Sequence, residues 1–210
     1  MIETFNEENL HTLYDLVAAK DKDLQAIIKE YGYPPLWIRP NSFETLVLTI
    51  LEQQVSLASA YSAYKKLKEQ IKITPQNLVM LTDEELRSCY LSRQKIIYTK
   101  ELANAILTKK IKLKKFESLP DDMVRTELKA LKGIGDWTVD IYLLHALRRT
   151  DIFPIGDLAL VNSIKMVKQL SSITKDELGE LSKKWKPYRS ITTMLFWHYY
   201  IKKKNIKILH

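Results

Sequence analysis

The sequence predicts an all-α fold, on the basis of its glycine content, its helix-forming residues and the spacing of its apolar residues. Glycine is scarce, with five residues in a chain of 210. Long stretches are rich in Leu, Ile, Lys, Glu and Ala, which favour helix, and the alternation of apolar and polar residues that marks a half-buried strand is hard to find. With 46% hydrophobic residues, a chain of this length can bury a sizeable core in one domain or in two small ones.

Helix start signals set the order of the elements. Ser42 and Asp157 are candidate N-caps, and Thr74-Pro75 supplies a cap followed by proline at the first helical position. The segments Thr82–Glu85 and Thr174–Glu177 are capping boxes. Breaks are predicted at residues 32–35 and 55–56. Two short helices are predicted at residues 6–20 and 21–31, and a helix that follows the second break ends near residue 69. The other predicted helices span residues 43–54, 92–109, 121–131, 137–149, 158–170 and 190–203.

The stretch Leu131–Asp140, LKGIGDWTVD, joins two of these helices. Its glycines, Gly133 and Gly135, are one residue apart and can take φ > 0, which lets another backbone approach closely. They place backbone N–H groups at the start of the second helix, where the helix dipole favours an anion. The stretch therefore predicts a hairpin that grips phosphate, or a tight turn with a glycine C-cap. A dinucleotide-binding fingerprint is disfavoured because the third glycine is missing and a helix, not a strand, precedes it.

Four stretches resemble motifs of the base-excision DNA glycosylase superfamily. Leu131–Thr138 (LKGIGDWT) resembles its helix-hairpin-helix motif, and Phe153–Asp157 (FPIGD) resembles the segment that carries its catalytic aspartate. Ile50–Ser56 (ILEQQVS) and Trp185–Ser190 (WKPYRS) resemble the branch represented by bacterial 3-methyladenine DNA glycosylase II. Together the matches span roughly Ser42 to Trp197, and four ordered motifs are far more specific than any one of them.

The resemblance implies an all-α architecture of two helical subdomains that flank a cleft. One subdomain would consist of residues 1–40 plus 150–210, and the central one, with the helix-hairpin-helix, of residues 41–149. The implied activity is that of a monofunctional DNA-3-methyladenine glycosylase of type II. Such an enzyme of base excision repair hydrolyses the N-glycosidic bond of alkylated bases such as 3-methyladenine and leaves an abasic site.

Asp157 is the catalytic residue that the resemblance implies. Cleavage of an N-glycosidic bond develops positive charge on the deoxyribose, and a nearby carboxylate can stabilise that charge or activate the attacking water. The alternative is that Asp157 only caps a helix, and one residue can do both.

Two tryptophans match aromatic residues of the family's base pocket. Trp137 begins the second helix of the hairpin and Trp197 lies on the C-terminal helix. An electron-rich ring binds a positively charged alkylated base better than a neutral one, although both residues could instead be plain core. Relatives that also cut the strand place a Schiff-base lysine at the Trp137 position, so tryptophan implies a monofunctional enzyme. The family has a further pocket tyrosine where this chain has Ile141, which leaves the preferred lesion open.

Other positions are candidate DNA contacts. Gln54 matches the side chain that the family inserts into the gap left by the flipped nucleotide; the alternative is a polar helix surface. Phosphate would be bound at the hairpin by Gly133, Ile134, Gly135 and Thr138. Further candidates, which could equally form a solvated face, are Ser92, Arg93, Gln94, Lys95, Lys186 and Arg189.

The hairpin is also a candidate site for a structural Na⁺ or K⁺. The family coordinates such an ion through backbone carbonyls, here those of Lys129, Leu131 and Ile134. No cofactor is otherwise expected to be required. The single cysteine, Cys89, excludes an internal disulfide and a four-cysteine iron–sulfur cluster, and no zinc-ligand spacing exists among one Cys and four His.

The charge balance favours a polyanionic partner. The formal charge is +8, from 33 Lys and Arg against 25 Asp and Glu, which suits DNA through counterion release. The expected partner is double-stranded DNA with damaged bases, bound by a monomer. No apolar run of about 18 residues exists and the acidic, polar N-terminus is no secretory signal, so no membrane association is expected. The expected location is the bacterial cytoplasm, at the nucleoid, or the nucleus of a eukaryote.

Two other functions compete with this one. The first is a non-catalytic helix-hairpin-helix DNA-binding protein, which would have no need of the FPIGD segment at its distance from the hairpin. The second is a glycosylase for oxidised or deaminated bases, which Trp137 and the WKPYRS segment disfavour.

Overall fold

The computed structural model describes residues 3–207, and the predicted all-α fold is confirmed. Within these residues the chain forms twelve α-helices and two short 3-10 helices, Leu113–Glu117 and Lys183–Trp185. None of these helices has the combination of length and apolar sequence that a membrane span requires. The α-helices are α1 Leu10–Ala18, α2 Lys22–Tyr31, α3 Phe43–Glu52, α4 Leu57–Gln70, α5 Pro75–Met80, α6 Asp83–Ser88, α7 Arg93–Leu107, α8 Asp121–Lys129, α9 Asp136–His145, α10 Leu158–Lys168, α11 Lys175–Ser182 and α12 Arg189–Lys203.

The helices group into two compact units. The first unit combines the N-terminal segment up to Ile38 with Leu143–Lys207, and it contains α1, α2 and α10 to α12. The second unit is Arg39–Tyr142, which contains α3 to α8 and the first part of α9. The subdomain bounds expected from the sequence also include residues 1, 2 and 208–210, which lie outside the described residues.

The helix caps predicted from the sequence are confirmed, whereas the first helix starts at Leu10, four residues later than predicted. Ser42 accepts the N–H of Thr45 at 3.2 Å, and Thr74 caps α5, which has proline in its first turn. Both predicted capping boxes are present, at the starts of α6 and α11, where each threonine and the glutamate three residues later bond reciprocally to backbone N–H groups.

The central helix of the first unit is α12. Every residue from Ser190 to His198 is buried, so this helix is covered on all sides and not along one face only. It packs against α1, α2 and α10. Asp21, the N-cap of α2, also accepts hydrogen bonds from Trp185 Nε1 at 2.9 Å and from Lys184 Nζ at 2.7 Å. These bonds join the N-terminal helices to the segment that precedes α12.

In the second unit the central helix is α3. Apart from Glu44, all of its residues are buried, and it packs against α4 and α7. The helix ends at Glu52, two residues before the predicted end, because Gln53 is extended (φ −60°, ψ 126°) and Gln54 takes a φ of 56°. A left-handed residue cannot continue a right-handed helix, so the chain turns here toward α4.

The helix α9 also ends earlier than predicted, at His145 and not at Arg149. Arg148 takes a φ of 55°, and the N–H of Arg149 donates back to the carbonyl of Leu143 at 3.0 Å. Arg149 then forms an isolated bridge with Thr4. Pairing with the N-terminal segment therefore replaces the last predicted turn of this helix.

Candidate functional site

The hairpin, residues 130–135, links α8 to α9 in the second unit. Gly133 has a φ of +85°, in the left-handed region that glycine adopts without steric cost. It lies against the ring of Tyr98 on α7, and a β-carbon at this position would overlap that ring. Two independent features therefore require glycine here, the positive φ and the close contact with the Tyr98 ring.

Gly135 is in a different situation. Its φ lies outside the left-handed region, so only one of the two glycines uses the conformation that the sequence allows. A β-carbon there would meet no atom of the described chain within 4 Å. The residue immediately precedes α9, and its carbonyl accepts the N–H of Val139 at 3.1 Å. The packing of the chain does not require glycine at this position. A partner that approached the backbone at the start of α9 would require it, because a β-carbon would occupy the space in between.

Gln53 holds the hairpin in place from the end of α3. Its side-chain Nε2 donates to the Gly133 carbonyl and to Thr138 Oγ1, at 2.9 Å in both cases. Thr138 and Ile134 are only 2% and 5% exposed, so any phosphate contact at these two positions would come from backbone N–H groups. The N–H of Ile134 already donates to the Leu131 carbonyl at 3.2 Å. The assignment of the hairpin residues to phosphate binding stays a prediction.

The α3–α4 turn, residues 53–56, presents Gln54. This residue is exposed, and its positive φ is uncommon for a residue other than glycine. Because α3 has already ended, Gln54 does not lie on a polar helix surface. Val55 and Leu57 beside it are 45% and 41% exposed. The assignment of Gln54 to the gap left by a flipped nucleotide stays a prediction.

Asp157 lies in the first unit, at the N-terminus of α10. Its Oδ1 accepts the N–H of Leu160 at 2.8 Å, which confirms the predicted N-cap. The same oxygen accepts the Nε1–H of Trp197 at 2.9 Å. Donors from two helices thus fix the orientation of the half-buried carboxylate, and a capping role alone would not need the second donor.

Trp197, on α12, is 9% exposed. Its ring stacks on that of His145, with centroids 5.5 Å apart and an interplanar angle of 13°. The Nδ1 of His145 lies 2.7 Å from the Trp37 carbonyl oxygen, which holds the imidazole in turn. Trp197 therefore combines a packed ring with a hydrogen bond to Asp157. Its assignment to the base pocket stays a prediction, as does that of Trp137, which is half-buried on α9.

Two of the candidate phosphate contacts are engaged within the chain. Lys95 Nζ donates to the Leu51 carbonyl at 2.7 Å, and burial lowers the pKa of this amine. Arg189 binds both carboxylate oxygens of Asp151, through Nε at 2.6 Å and Nη2 at 2.8 Å. These two side chains bind groups of the chain and thereby support the fold, and their assignment to phosphate contacts stays a prediction. The other candidates are exposed: Ser92, Arg93, Gln94 and Lys186.

The candidate cation site at the hairpin would consist of carbonyl oxygens. Within residues 3–207, no group of three or more His, Cys, Asp or Glu side chains could hold a metal ion. Of the carbonyls of Lys129, Leu131 and Ile134 expected from the sequence, that of Leu131 accepts the N–H of Ile134 inside the turn at 3.2 Å. A monovalent cation at this place stays a prediction.

Sequence reasoning missed three supporting residues. They are Gln53, Tyr98 and His145, none of which the sequence motifs assign to the site. Their partners lie far along the chain; Gln53 and Gly133, for example, are 80 residues apart. The sequence around such a residue gives no signal of a contact with a distant part of the chain. These roles therefore become visible only in the folded chain.

The chain is similar in sequence to proteins of base excision DNA repair. A family model described as "HhH-GPD superfamily base excision DNA repair protein" matches residues 47–187. A DNA-3-methyladenine glycosylase of Bacillus subtilis is 29% identical over 205 residues, which cover 91% of this chain and 67% of the relative. An alkylbase DNA glycosidase-like protein of Schizosaccharomyces pombe is 29% identical over 186 residues, with 84% and 87% of the two chains covered.

Two solved structures share the fold. The chain is similar to 3-methyladenine DNA glycosylase of Schizosaccharomyces pombe in complex with abasic DNA, with a TM-score of 0.84, 24% identity and coverage of 92% of this chain and 97% of that one. It is similar to a DNA-3-methyladenine glycosidase of Bacillus halodurans with a TM-score of 0.77 and 26% identity, over 92% of this chain and 91% of that one.

Proposed function

Because the chain belongs to the HhH-GPD superfamily of base excision DNA repair proteins, we propose that it is a monofunctional DNA glycosylase that removes alkylated bases such as 3-methyladenine. The observation that carries the proposal is the Asp157 carboxylate, which caps α10 and also accepts the indole N–H of Trp197. The names of the relatives matched over most of the chain support alkylated bases as the substrate class. The reaction proposed is that of the type II branch.

The proposed chemistry needs a carboxylate at the sugar. The bond between C1′ and the base breaks, and its electron pair leaves with the base, which a positive charge on an alkylated purine makes a better leaving group. The deoxyribose acquires oxocarbenium character, which Asp157 stabilises electrostatically. Water then adds its oxygen to C1′ and gives up a proton, to the carboxylate or to solvent. The products are the free base and an abasic site.

The fixed orientation of Asp157 explains how this residue would act. Electrostatic stabilisation is most effective when the charged group is already aimed at the position where charge develops. The Leu160 N–H and the Trp197 Nε1–H both hold one carboxylate oxygen, which removes rotational freedom before DNA arrives. Trp197 is itself fixed by its stack on His145. The side chains around Asp157 thus form a preorganised support.

The proposal of a monofunctional enzyme rests on Trp137. A strand-cutting glycosylase needs an amine that forms a Schiff base with the sugar, and an indole cannot do this chemistry. Borohydride should therefore trap no covalent DNA adduct, and the strand should stay intact after base release. A stable protein–DNA adduct on a duplex from which base has been released would contradict the monofunctional assignment.

The partner proposed is double-stranded DNA, bound by a monomer. The hairpin offers backbone N–H groups at the start of α9, with open space in front of Gly135, and the net charge of +8 favours a polyanion. Gln54 would fill the gap left by the flipped nucleotide. A Na⁺ or K⁺ at the hairpin carbonyls is part of the same proposal, and no other cofactor is needed for the chemistry.

A base-release assay tests the substrate class. Duplexes that each carry one defined lesion, an alkylated purine, 8-oxoguanine or uracil, are incubated with excess protein, and the free base is quantified. We expect release of the alkylated purine and at least tenfold slower release of the other two. Faster release of 8-oxoguanine or uracil would favour the competing glycosylase class. Tight binding of every duplex with no base release would favour a non-catalytic DNA-binding protein.

A further inference from the structure

Gln53 lies at the junction between the α3–α4 turn and the hairpin of the second unit. It follows the last residue of α3 and immediately precedes Gln54. Its amide Nε2 has two hydrogens, and they are donated to two different acceptors, the Gly133 carbonyl and Thr138 Oγ1. One side chain thus joins the α3–α4 turn to both the hairpin and the first turn of α9.

The α3–α4 turn is fixed by each of the three residues that precede Gln54. The Leu51 carbonyl accepts Lys95 Nζ at 2.7 Å. The Glu52 carboxylate, 5% exposed, accepts Arg39 Nη1 and Nη2 at 2.8 and 2.6 Å. Gln53 completes the series through its amide. Because these bonds hold the residues before it, Gln54 can keep a left-handed φ that would otherwise be costly.

The hairpin is fixed from the same direction. Gly133 packs on the ring of Tyr98, while its carbonyl accepts from Gln53. Tyr98 and Lys95 lie one turn apart on α7, so this helix supports the hairpin through one side chain and the α3–α4 turn through the other. The amide of Gln53 closes the connection between the two elements.

We propose that Gln53 is a positioning residue that couples the α3–α4 turn to the hairpin, so that Gln54 and the phosphate-binding backbone meet DNA as one preorganised surface. The proposal rests on the proposed function, because it assigns Gln54 and the hairpin to DNA. Preorganisation raises affinity since the ordering of both elements is complete before binding. Loss of the coupling should therefore weaken phosphate binding and base-gap insertion together.

The test compares Gln53→Met with two controls. Methionine has nearly the same length as glutamine but donates no hydrogen bond, and Gln76→Met makes the same change at an exposed glutamine on α5 of the same unit. Gln54→Ala removes the inserted side chain alone. Each variant is titrated at fixed salt with undamaged duplex, and with a duplex in which 2-aminopurine neighbours an abasic analogue, so that its fluorescence reports unstacking.

Gln53→Met should lose about tenfold in affinity for undamaged duplex, the equivalent of one to two hydrogen bonds, and should also lose most of the 2-aminopurine signal at saturating protein. Gln54→Ala should lose the signal alone, and Gln76→Met should lose neither. Full signal and wild-type affinity in Gln53→Met, at a temperature where it is folded, would overturn the proposal even if its melting temperature falls, because Gln53 would then be a structural residue only.

Two further variants probe the direction of the hydrogen bonds. Gln53→Glu keeps the shape but places a carboxylate against the Gly133 carbonyl, so it should be worse than Gln53→Met in both readouts. A volume-filling role would predict the opposite order, and that order would overturn the proposal. Thr138→Val removes one of the two acceptors and should give a smaller loss of the same kind. It also serves as the test variant if Gln53→Glu does not fold.

The binding readouts separate this inference from the proposed function. They use undamaged and abasic-analogue duplexes, so they need no base release. If the wild-type protein binds these duplexes and the paired losses occur, the coupling stands even if no alkylated base is released, and only the proposed glycosylase activity fails. A wild-type protein that does not bind duplex DNA would overturn both.

Discussion

The hairpin and the Asp157 site are held in place by different kinds of chemical group. The hairpin depends on the backbone of Gly133, which takes a positive φ and whose carbonyl accepts a hydrogen bond from Gln53. The Asp157 site depends on side chains, the carboxylate and the indole of Trp197. Phosphate contacts carry no base information and suit backbone groups, whereas stabilising charge on one sugar needs a placed functional group. The difference follows the two tasks proposed for the protein.

This contrast predicts which changes each region tolerates. A side-chain change in the hairpin should matter mainly where it alters the backbone or the space around it. A change at Asp157 should alter the chemistry even when the shape is kept. The predictions below separate these effects, starting with the largest.

Asp157→Asn should abolish base release and leave DNA binding nearly intact. Asparagine is as good an N-cap as aspartate and keeps an oxygen for the Trp197 Nε1–H, so the fold should persist. It lacks the charge that stabilises the transition state, and a loss of about 10³-fold or more corresponds to about 4 kcal/mol. Single-turnover release and lesion-duplex affinity are measured together.

The matched control is Asp176→Asn, an exposed acidic residue in the first turn of α11, which should change neither value. Near-wild-type release by Asp157→Asn would remove this residue from the mechanism. Because asparagine caps as well as aspartate, an unfolded Asp157→Asn would show that the charge of this side chain stabilises the fold, and the mechanistic assignment would then have lost its support.

The two hairpin glycines should respond differently to alanine. Gly133→Ala introduces a β-carbon that overlaps Tyr98 at a strained φ, and should lower the free energy of unfolding by about 1–3 kcal/mol. Gly135→Ala meets no atom of the described chain within 4 Å and should fold like the wild type. Its affinity for undamaged duplex should nevertheless fall about tenfold if phosphate approaches the backbone there.

Thermal unfolding and a duplex titration at fixed salt check both glycine variants. Wild-type affinity in a folded Gly135→Ala would mean that no partner approaches this backbone, and would leave the hairpin as a helix–helix turn. A Gly133→Ala protein of unchanged stability would contradict the contact with Tyr98.

A further prediction concerns the acid stability of the first unit. Burial acts to raise the pKa of Asp21, but hydrogen bonds from Lys184 and Trp185 outweigh it and hold the pKa below its ordinary value. A lowered folded-state pKa contributes stability above the unfolded-state pKa, and this stability is lost as pH falls through the folded-state value. Asp21→Asn should lower the free energy of unfolding at neutral pH by about 1–3 kcal/mol.

Denaturant unfolding at several pH values checks this prediction. The difference between wild type and Asp21→Asn should shrink as the pH falls below the ordinary carboxyl range. A difference that stays constant with pH would mean that Asp21 acts through shape and not through charge.

The starts of the helices that carry a side-chain cap could be predicted from the sequence, but the uncapped start of α1 and the ends of some helices could not. Caps such as Ser42 and Asp157 are local signals, because one side chain bonds a backbone group two or three residues away. At the end of α3 the Leu51 carbonyl accepts Lys95 from another helix, and beyond the end of α9 Arg149 pairs with Thr4. Contacts of this kind follow from the folded chain and leave no local pattern.

The candidate site divides in the same way. Asp157 and the hairpin glycines could be identified because their motifs have fixed spacing. The bond between Trp197 and Asp157 joins residues 40 apart, and the two bonds of Gln53 span 80 and 85 residues. Lys95 and Arg189 are candidate phosphate contacts in the sequence. In the folded chain Lys95 donates to the Leu51 carbonyl and Arg189 donates to Asp151. A basic side chain in a sequence does not reveal which acceptor it will meet.

The central claim is that Asp157 is the catalytic group and that Trp197 acts by holding it. Single-turnover base release by Asp157→Asn, Trp197→Phe and the double variant tests it most directly. Phenylalanine keeps the aromatic ring but removes the Nε1–H donor, so Trp197→Phe alone should lose roughly tenfold, the worth of one hydrogen bond to a charged group. Without the carboxylate, the hydrogen bond from Trp197 can no longer affect its orientation. The double variant should therefore release base at a rate within about twofold of that of Asp157→Asn. Losses that multiply would show that Trp197 acts independently of Asp157 and would contradict the claim.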